Sequence, residues 1–257
     1  MTLLKNFNSP NYSEINREGL QFKDLPITED IGSYGSTQVI VAALNEEQGI
    51  GLTIAELKDT LDFSHIIVID GHSNDRTIEI SKTLGAETAI QDKVGKGDAI
   101  SKALKLTNPN AEYIVLTDAD YTYPAKYIPE MIKILKQNPD VGMVCGNRFN
   151  NQLSSKTLLN RFYLGNKLLA FTHNILNGID LHDPLTGLRV IRAEILRNLQ
   201  LKSNGFDIEV ELNNLVQKKG YRTVEVPIQY RQRLGEKKLK MKHGVTILKR
   251  IITETIF

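Results

Sequence analysis

The chain has 257 residues, 41% hydrophobic and 24% charged, with 32 Lys+Arg against 30 Asp+Glu. That length suits one large α/β domain plus tails, and the near balance of charge removes any global electrostatic case for nucleic-acid binding. The lone Cys145 excludes an internal disulfide and, lying in an apolar run, reads as a small core residue.

No stretch approaches the ~20 apolar residues of a membrane span, and residues 1–8 lack the apolar stretch of a secretory signal, so the sequence reads as cytoplasmic. Residues 1–36 are polar and Asn/Ser-rich and read as an extension. From Gln38 the pattern becomes regular. A strand is expected over 38–44, a helix over 47–61, a strand over 65–70 and a helix over 74–84 stopped by Gly85. A short strand over 86–90, a helix over 97–106, a strand over 112–117, a helix over 125–137 and a strand over 141–145 follow. The second half is less regular, with a long helix over 155–176, a loop over 182–187, a strand over 188–191, a helix over 209–219 and a strand over 221–226. Near-continuous apolar strands alternating with helices specify an α/β fold with a parallel sheet covered on both faces.

In such sheets ligands bind beyond the carboxyl ends of the strands. Those ends carry Asn45-Glu46-Glu47, Asp70 to Asp75, and Asp118-Ala119-Asp120. Two carboxylates one residue apart at a strand end supply hard oxygen ligands for Mg²⁺ or Mn²⁺. An isolated Asp-x-Asp is also an ordinary turn sequence. A calcium loop is excluded, because Tyr123 stands at its sixth position and Pro129 at its twelfth.

Gly95-Lys96-Gly97 opens a helix with exposed amides and a cation, which suits an anion, and equally suits a plain turn. Ser73 or Asn74 is expected to cap the helix after the second strand. Arg148, Arg161, Arg231, Arg233, Lys237 and Lys238 recur in loops, and arginine offers a rigid fork for phosphate oxygens. His182 is the one histidine beside a carboxylate, Asp183.

Together these pieces resemble dolichyl-phosphate mannose synthases and their relatives among family 2 glycosyltransferases, over 38–239. The motifs come in the family's order: Ala43 to Glu47, Asp70 to Thr77, Gly95-Lys96-Gly97, Asp118-Ala119-Asp120, Gly146-Asn147-Arg148, Asp183 to Arg189, and Arg233 to Leu239. The resemblance implies a GT-A fold, a Rossmann-like, mostly parallel sheet with a nucleotide half at about 37–120 and an acceptor half at about 121–238. It implies Ala42, Leu44, Glu46, Asp70 and Lys96 around the nucleotide, with Mg²⁺ or Mn²⁺ on Asp118 and Asp120. By the same resemblance Arg148, Arg161 and Arg231 stand at an acceptor phosphate, and Arg233 contacts phosphates from the loop after the last strand.

The implied reaction is inverting transfer of a hexose from UDP-glucose, GDP-mannose or UDP-N-acetylglucosamine to dolichyl or polyprenyl phosphate. Ala42 replaces a frequent Pro, Leu44 an occasional Tyr, and Lys237 a usual Ser. Tyr121-Thr122-Tyr123-Pro124 replaces the Leu-Gln-x-Pro common in mannose synthases, which weighs towards a UDP-sugar. Residues 239–257 alternate apolar and basic positions, as a helix lying peripherally on the cytoplasmic face of a membrane does, or one packed on the protein's own core. A soluble phosphorylated or glycan acceptor, and a non-catalytic nucleotide-sugar-binding protein, are the competing readings.

Overall fold

The computed structural model describes residues 37–61, 65–149 and 161–256; the extension expected over 1–36 lies outside the described residues. Seven strands form one sheet: β1 (Thr37–Ala43), β2 (His65–Asp70), β3 (Glu87–Ile90), β4 (Tyr113–Asp118), β5 (Val141–Asn147), β6 (Arg189–Arg192) and β7 (Arg222–Pro227). Their spatial order is β3-β2-β1-β4-β6-β5-β7. All run parallel except β6, which is antiparallel to both β4 and β5. The mostly parallel sheet expected from the sequence is therefore present.

Helices cover both faces. On one, α1 (Ile50–Leu61) and α4 (Ile128–Gln137) bury Ile50, Ile54, Leu57, Leu61, Met131 and Leu135 against Val39, Val41, Val115 and Val190. On the other, α3 (Lys96–Leu106), the short α6 (Ala193–Leu196) and α7 (Ile208–Lys218) cover Ile40, Ile67, Ile114 and Cys145. Alternate residues of β1 therefore serve opposite cores, as the two-residue period of a strand requires. Burial lifts the Cys145 thiol to about 11, consistent with a core residue.

The boundaries shift where local geometry overrides the apolar period. Residues 46–49 form a turn, with the Gly49 and Ile50 amides donating to Glu46 O at 3.0 and 2.9 Å, so α1 starts at Ile50. Pro129 lies in the first turn of α4, and a 3₁₀ turn, Ala125–Tyr127, precedes that helix. Helix α2 (Thr77–Thr83) starts later than 74 because residues 70–75 are committed to a side-chain-bonded loop.

Two further helices, α5 (Arg161–Asn177) and α8 (Met241–Ile256), pack on α7, where Val210, Ile247 and Ile251 meet Leu169. Burying Ile247 and Ile251 stabilises the attachment of α8 by about 4 kcal/mol. The start of the long helix expected at 155 lies outside the described residues.

Candidate active site

Strand order reverses between β1 and β4. The chain leaves β1 for β2 and β3 on one side, then crosses to β4 on the other. The crevice outside their carboxyl ends is the topological switch point of the sheet. Three of its loop residues, Asn45 (φ 50°), His72 (φ 67°) and Tyr121 (φ 63°), adopt the left-handed region although none is glycine. Such conformations cost about 1–3 kcal/mol each and persist only where neighbours impose them.

The neighbours here are cross-loop hydrogen bonds. The Asn45 amide donates to Ser73 Oγ at 2.7 Å and the Asn74 amide to Asn45 Oδ1 at 2.8 Å. The Glu46 amide donates to Thr77 Oγ1 at 2.8 Å. Asp70, fully buried, accepts the Ser73 amide and hydroxyl at 2.8 and 2.6 Å. Ser73 and Asn74 thus tie two loops together and do not cap α2, as the sequence had suggested. Arg76 stands at the N-cap position without a side-chain bond, and Asp75 before it accepts the Thr77 amide and hydroxyl at 3.0 and 2.5 Å.

Asp118 ends β4 and Asp120 lies just beyond it, and each carboxylate meets a cation. Lys96 Nζ lies 2.7 Å from Asp118 Oδ1 and 2.8 Å from Glu209 Oε1 of α7. Arg233 Nη1 donates to Asp120 Oδ2 at 2.6 Å, while its Nη2 holds Glu46 Oε1. The other oxygen of Asp120 accepts the Thr122 amide and hydroxyl at 3.2 and 2.6 Å. Backbone bonds lace the segment carrying Arg233 onto the same loop, Arg231 N to Thr122 O at 3.0 Å and Leu234 N to Asp120 O at 3.2 Å.

Burial, and then the neighbouring Asp118, push the Asp120 carboxyl above its ordinary range. Burial raises Glu46 to about 7, with Arg233 offsetting only part of the cost. Burial pulls the Lys96 ammonium down, but Asp118 and Glu209 outweigh it and leave it above its usual value. Glu46 Oε2, Glu209 Oε2 and Arg233 Nε are buried without a hydrogen-bond partner. Unsatisfied polar atoms in a native interior call for an explanation, and a bound ligand is one.

Asp118 and Asp120 stand one residue apart, and a divalent cation between them would stabilise the ionised form of Asp120, which burial and the Asp118 charge disfavour. Among the described residues no group of three or more His, Cys, Asp or Glu could hold a metal. The donor set therefore fits Mg²⁺ or Mn²⁺ that takes its remaining oxygens from water and substrate.

The glycine-flanked lysine behaves differently from an anion cradle. The Gly97 and Asp98 amides donate to Gly205 O and Asn204 O, both at 3.2 Å. A Cβ on Gly97 would lie 2.2 Å from Ser203 O, and one on Gly95 (φ 110°) 2.3 Å from Asn204 O. The glycines let two backbones touch. The amides are spent on that contact, and only the Lys96 side chain faces the site.

Ala42 pairs with Asp118 across the sheet and lines a small cavity with Lys96, Thr117, Gly187 and Glu209. Leu44 is partly exposed just beyond β1. Arg148 was expected at an acceptor phosphate, yet its Nε and Nη2 both donate to buried Asp183 at 2.7 Å. Its amide does so at 3.0 Å, so the fork is engaged in holding the 183–187 loop. Arg231 is likewise bidentate, to Glu56 at 2.6 and 2.7 Å, and lies over the Tyr121 ring. Arg161 opens α5, and its side chain lies outside the described residues. His182 is exposed, with Nδ1 3.1 Å from Glu225.

Glu209, Gly187 and the Arg189 cluster were not picked out singly from the sequence. Gly187 abuts the metal motif: a Cβ there would fall 2.5 Å from Asp118 Oδ2. Arg189 is buried, donating to Thr186 O at 3.0 Å, Pro184 O at 2.6 Å and Asn213 Oδ1 at 2.6 Å. Asn213 Nδ2 donates in turn to Pro184 O and to His173 Nε2, both at 3.0 Å. The other ring nitrogen, His173 Nδ1, lies 2.9 Å from Asn177 Nδ2, so side-chain amides hold the ring at both nitrogens. Glu209, in the first turn of α7, reads from sequence as an ordinary helix-dipole partner. Only the approach of α3 to the 203–205 segment brings Lys96 to it.

Residues 38–200 match the family model described as Glycosyl transferase family 2. A Haloferax volcanii protein named dolichyl-phosphate hexose transferase is 34% identical over 209 residues, covering 80% of this chain and 88% of that one. A Pyrococcus furiosus protein named dolichol-phosphate mannosyltransferase is 26% identical over 218 residues; the match covers 79% of this chain but 59% of that one. Among solved structures, glucosyl-3-phosphoglycerate synthase from Mycobacterium tuberculosis, in complex with Mn²⁺, UDP-glucose and phosphoglyceric acid, has a TM-score of 0.67. It is 19% identical and covers 86% of this chain and 80% of that one, a likeness of fold and of the GT-A arrangement.

Proposed function

The chain belongs to glycosyl transferase family 2 and is a glycosyltransferase, and from that premise we propose that it moves a hexose from a nucleoside-diphosphate sugar onto the phosphate of a polyprenyl or dolichyl phosphate. One observation carries the reading. Asp118 and Asp120 lie at the switch point, each within 2.7 Å of a cation, Lys96 or Arg233, that a diphosphate would also recruit. A Mg²⁺ or Mn²⁺ ion on those two carboxylates would neutralise the departing diphosphate.

Within the nucleotide half, about 37–120, Ala42, Leu44 and Glu46 border the nucleoside, and Asp70 contributes through the Ser73 turn it holds. Lys96 and Arg233 exchange their carboxylate partners for phosphate oxygens. In the acceptor half, about 121–238, Arg148, Arg161 and Arg231 stand on the acceptor side, Arg148 through the loop it braces. Burial, then Arg148 and Arg233, hold the Lys237 ammonium below its ordinary range, so cations gather where an anionic acceptor would arrive.

The chemistry is a single inverting displacement. An acceptor phosphate oxygen forms the new bond to the anomeric carbon as the bond to the diphosphate breaks, and the nucleoside diphosphate leaves. A phosphate monoester is mostly dianionic at neutrality, with a second pKa of about 6, so the step requires no strong general base. What the protein supplies is orientation and charge stabilisation. With such a donor and acceptor the reaction belongs at the cytoplasmic face of a membrane.

The test incubates the protein with Mg²⁺ or Mn²⁺, a short polyprenyl phosphate and a panel of radiolabelled nucleotide sugars, with Asp120→Ala as control. Label entering the organic phase from one donor, and lost in the control, supports the reading and names the sugar. A soluble phosphorylated acceptor is the second reading, favoured by the phosphoglyceric acid bound to the M. tuberculosis enzyme of like fold. Label retained in a water-soluble product would select it.

A further inference from the structure

Two helices bring their N-termini together at the crevice. Lys96 is the first residue of α3 and Glu209 the second of α7. Backbone contact fixes the approach, with the Gly97 and Asp98 amides on Gly205 O and Asn204 O. Glu211 of α7 secures the same segment, accepting the Lys202 and Ser203 amides, both at 2.7 Å. A cation at the positive end of a helix dipole is unfavourably placed, and Lys96 is largely buried there as well. Two carboxylates hold it, Asp118 Oδ1 at 2.7 Å and Glu209 Oε1 at 2.8 Å. Only Asp118 belongs to the acidic motif. Glu209 is buried, and its Oε2 has no hydrogen-bond partner. Arg233 is held the same way, between Asp120 of the motif and Glu46 outside it.

We propose that Glu209 is a positioning residue for the transfer, one that keeps the Lys96 ammonium in the crevice when Asp118 turns to the divalent cation. The proposal rests on the donor and metal reading above and deepens it. Without Glu209, an ammonium that gave up Asp118 would be an unpaired cation at a helix N-terminus, beside a divalent ion of the same sign. Such a charge leaves the site or keeps Asp118 for itself. With Glu209 the lysine retains one counter-charge on a rigid helix, and the N–H released by Asp118 is turned over to a diphosphate oxygen. The unpartnered Oε2 gives the ammonium a second oxygen to move onto. A carboxylate placed only to offset the α7 dipole would face the amides of its own first turn. Glu209 instead faces the first residue of a different helix, and it acts through that residue.

The experiment titrates the full chain with UDP, and in parallel with GDP, by isothermal titration calorimetry with Mn²⁺ present and no acceptor. Wild type is compared with Glu209→Gln, Glu209→Asp, Lys96→Met and the double variant Glu209→Gln/Lys96→Met. For the nucleotide that binds, Glu209→Gln should weaken binding about tenfold, a coupling of the size found within one ion-pair network. Glu209→Asp, which keeps the charge, should recover part of it. On the Lys96→Met background the Glu209→Gln change should alter affinity less than about twofold, because the residue it acts through is gone. An equal loss on both backgrounds would overturn the proposal, since Glu209 would then act by itself. So would wild-type affinity in Glu209→Gln. Thermal unfolding of each variant separates these results from misfolding, and should Glu209→Gln not fold, Glu209→Asp on the two backgrounds carries the same comparison. A wild-type protein that binds neither nucleotide with Mn²⁺ would sink the donor and metal reading and this proposal with it. Absence of transfer to any polyprenyl phosphate, with the expected pattern of affinities, would sink the acceptor reading alone and leave Glu209 in its role.

Discussion

Arg233 Nη1 donates to Asp120 Oδ2 at 2.6 Å across 113 residues of sequence, and its second terminal nitrogen holds Glu46. One guanidinium thus ties the loop after β7 to the ends of β1 and β4. Because its Nε is buried without a partner, the same group still has an N–H to donate to a ligand oxygen.

Replacing Arg233 with Ala should lower kcat/KM for sugar transfer by about 10²–10³, the usual cost of removing a donor aimed at developing negative charge. Arg233→Lys should recover part of it, since a lysine restores charge without the fork. Steady-state kinetics on the two variants measure this. Wild-type activity in Arg233→Ala would remove Arg233 from the reaction.

Gly187→Ala separates geometry from stability. The added Cβ would fall 2.5 Å from Asp118 Oδ2, a side-chain end that can turn aside only by disturbing its ion pair with Lys96. We expect less than about 1 kcal/mol lost from folding, but transfer reduced roughly 100-fold, because a displacement of about 1 Å at a reacting group has that effect. Urea unfolding and activity assays on the one protein give both numbers.

Gly97→Ala should do the reverse. Its Cβ would meet the backbone oxygen of Ser203 at 2.2 Å, and a backbone atom cannot rotate away. A loss of about 2 kcal/mol or more is expected, read as a lower thermal midpoint. An unshifted midpoint would mean that the α3 and 203–205 backbones do not touch.

Stability should fall with acid through His173. Desolvation, then Arg189, lowers its pKa from 6.5 to about 4. Between those values the unfolded chain binds a proton that the folded ring refuses, so stability rises with pH across the window and is lost as pH falls through it. The contribution is on the order of 3 kcal/mol. Urea midpoints at about pH 4.5 and pH 7 should differ less in His173→Gln than in wild type. An equal acid loss in both would assign it to other groups.

Much of the sheet was legible because strand and helix periods are local. Val39, Val41, Ile67 and Val68 lie in apolar runs of strand length, and Ile50, Ile54, Leu57 and Leu61 recur on one helical face. The acidic loop ends were legible too, since a parallel sheet exposes the carboxyl ends of its strands. Less legible were the partners. The fork of Arg148 looks in sequence like any phosphate-binding arginine, and only the return of the 182–187 loop commits it to Asp183. Gly95 and Gly97 look like an anion-binding turn until the 203–205 backbone fills the space beside them.

The sequence by itself therefore determined the element order, the two cores and the identity of the acidic motif, because apolar periodicity and strand-end chemistry are properties of neighbouring residues. Only the tertiary structure decided which cation meets which carboxylate: Lys96 with Asp118 and Glu209, Arg233 with Asp120 and Glu46. It also decided that Leu164, Leu168, Phe171 and Ile175 of α5 face outward. A helical period shows that a helix has an apolar face; which side is buried depends on what the rest of the chain packs against it.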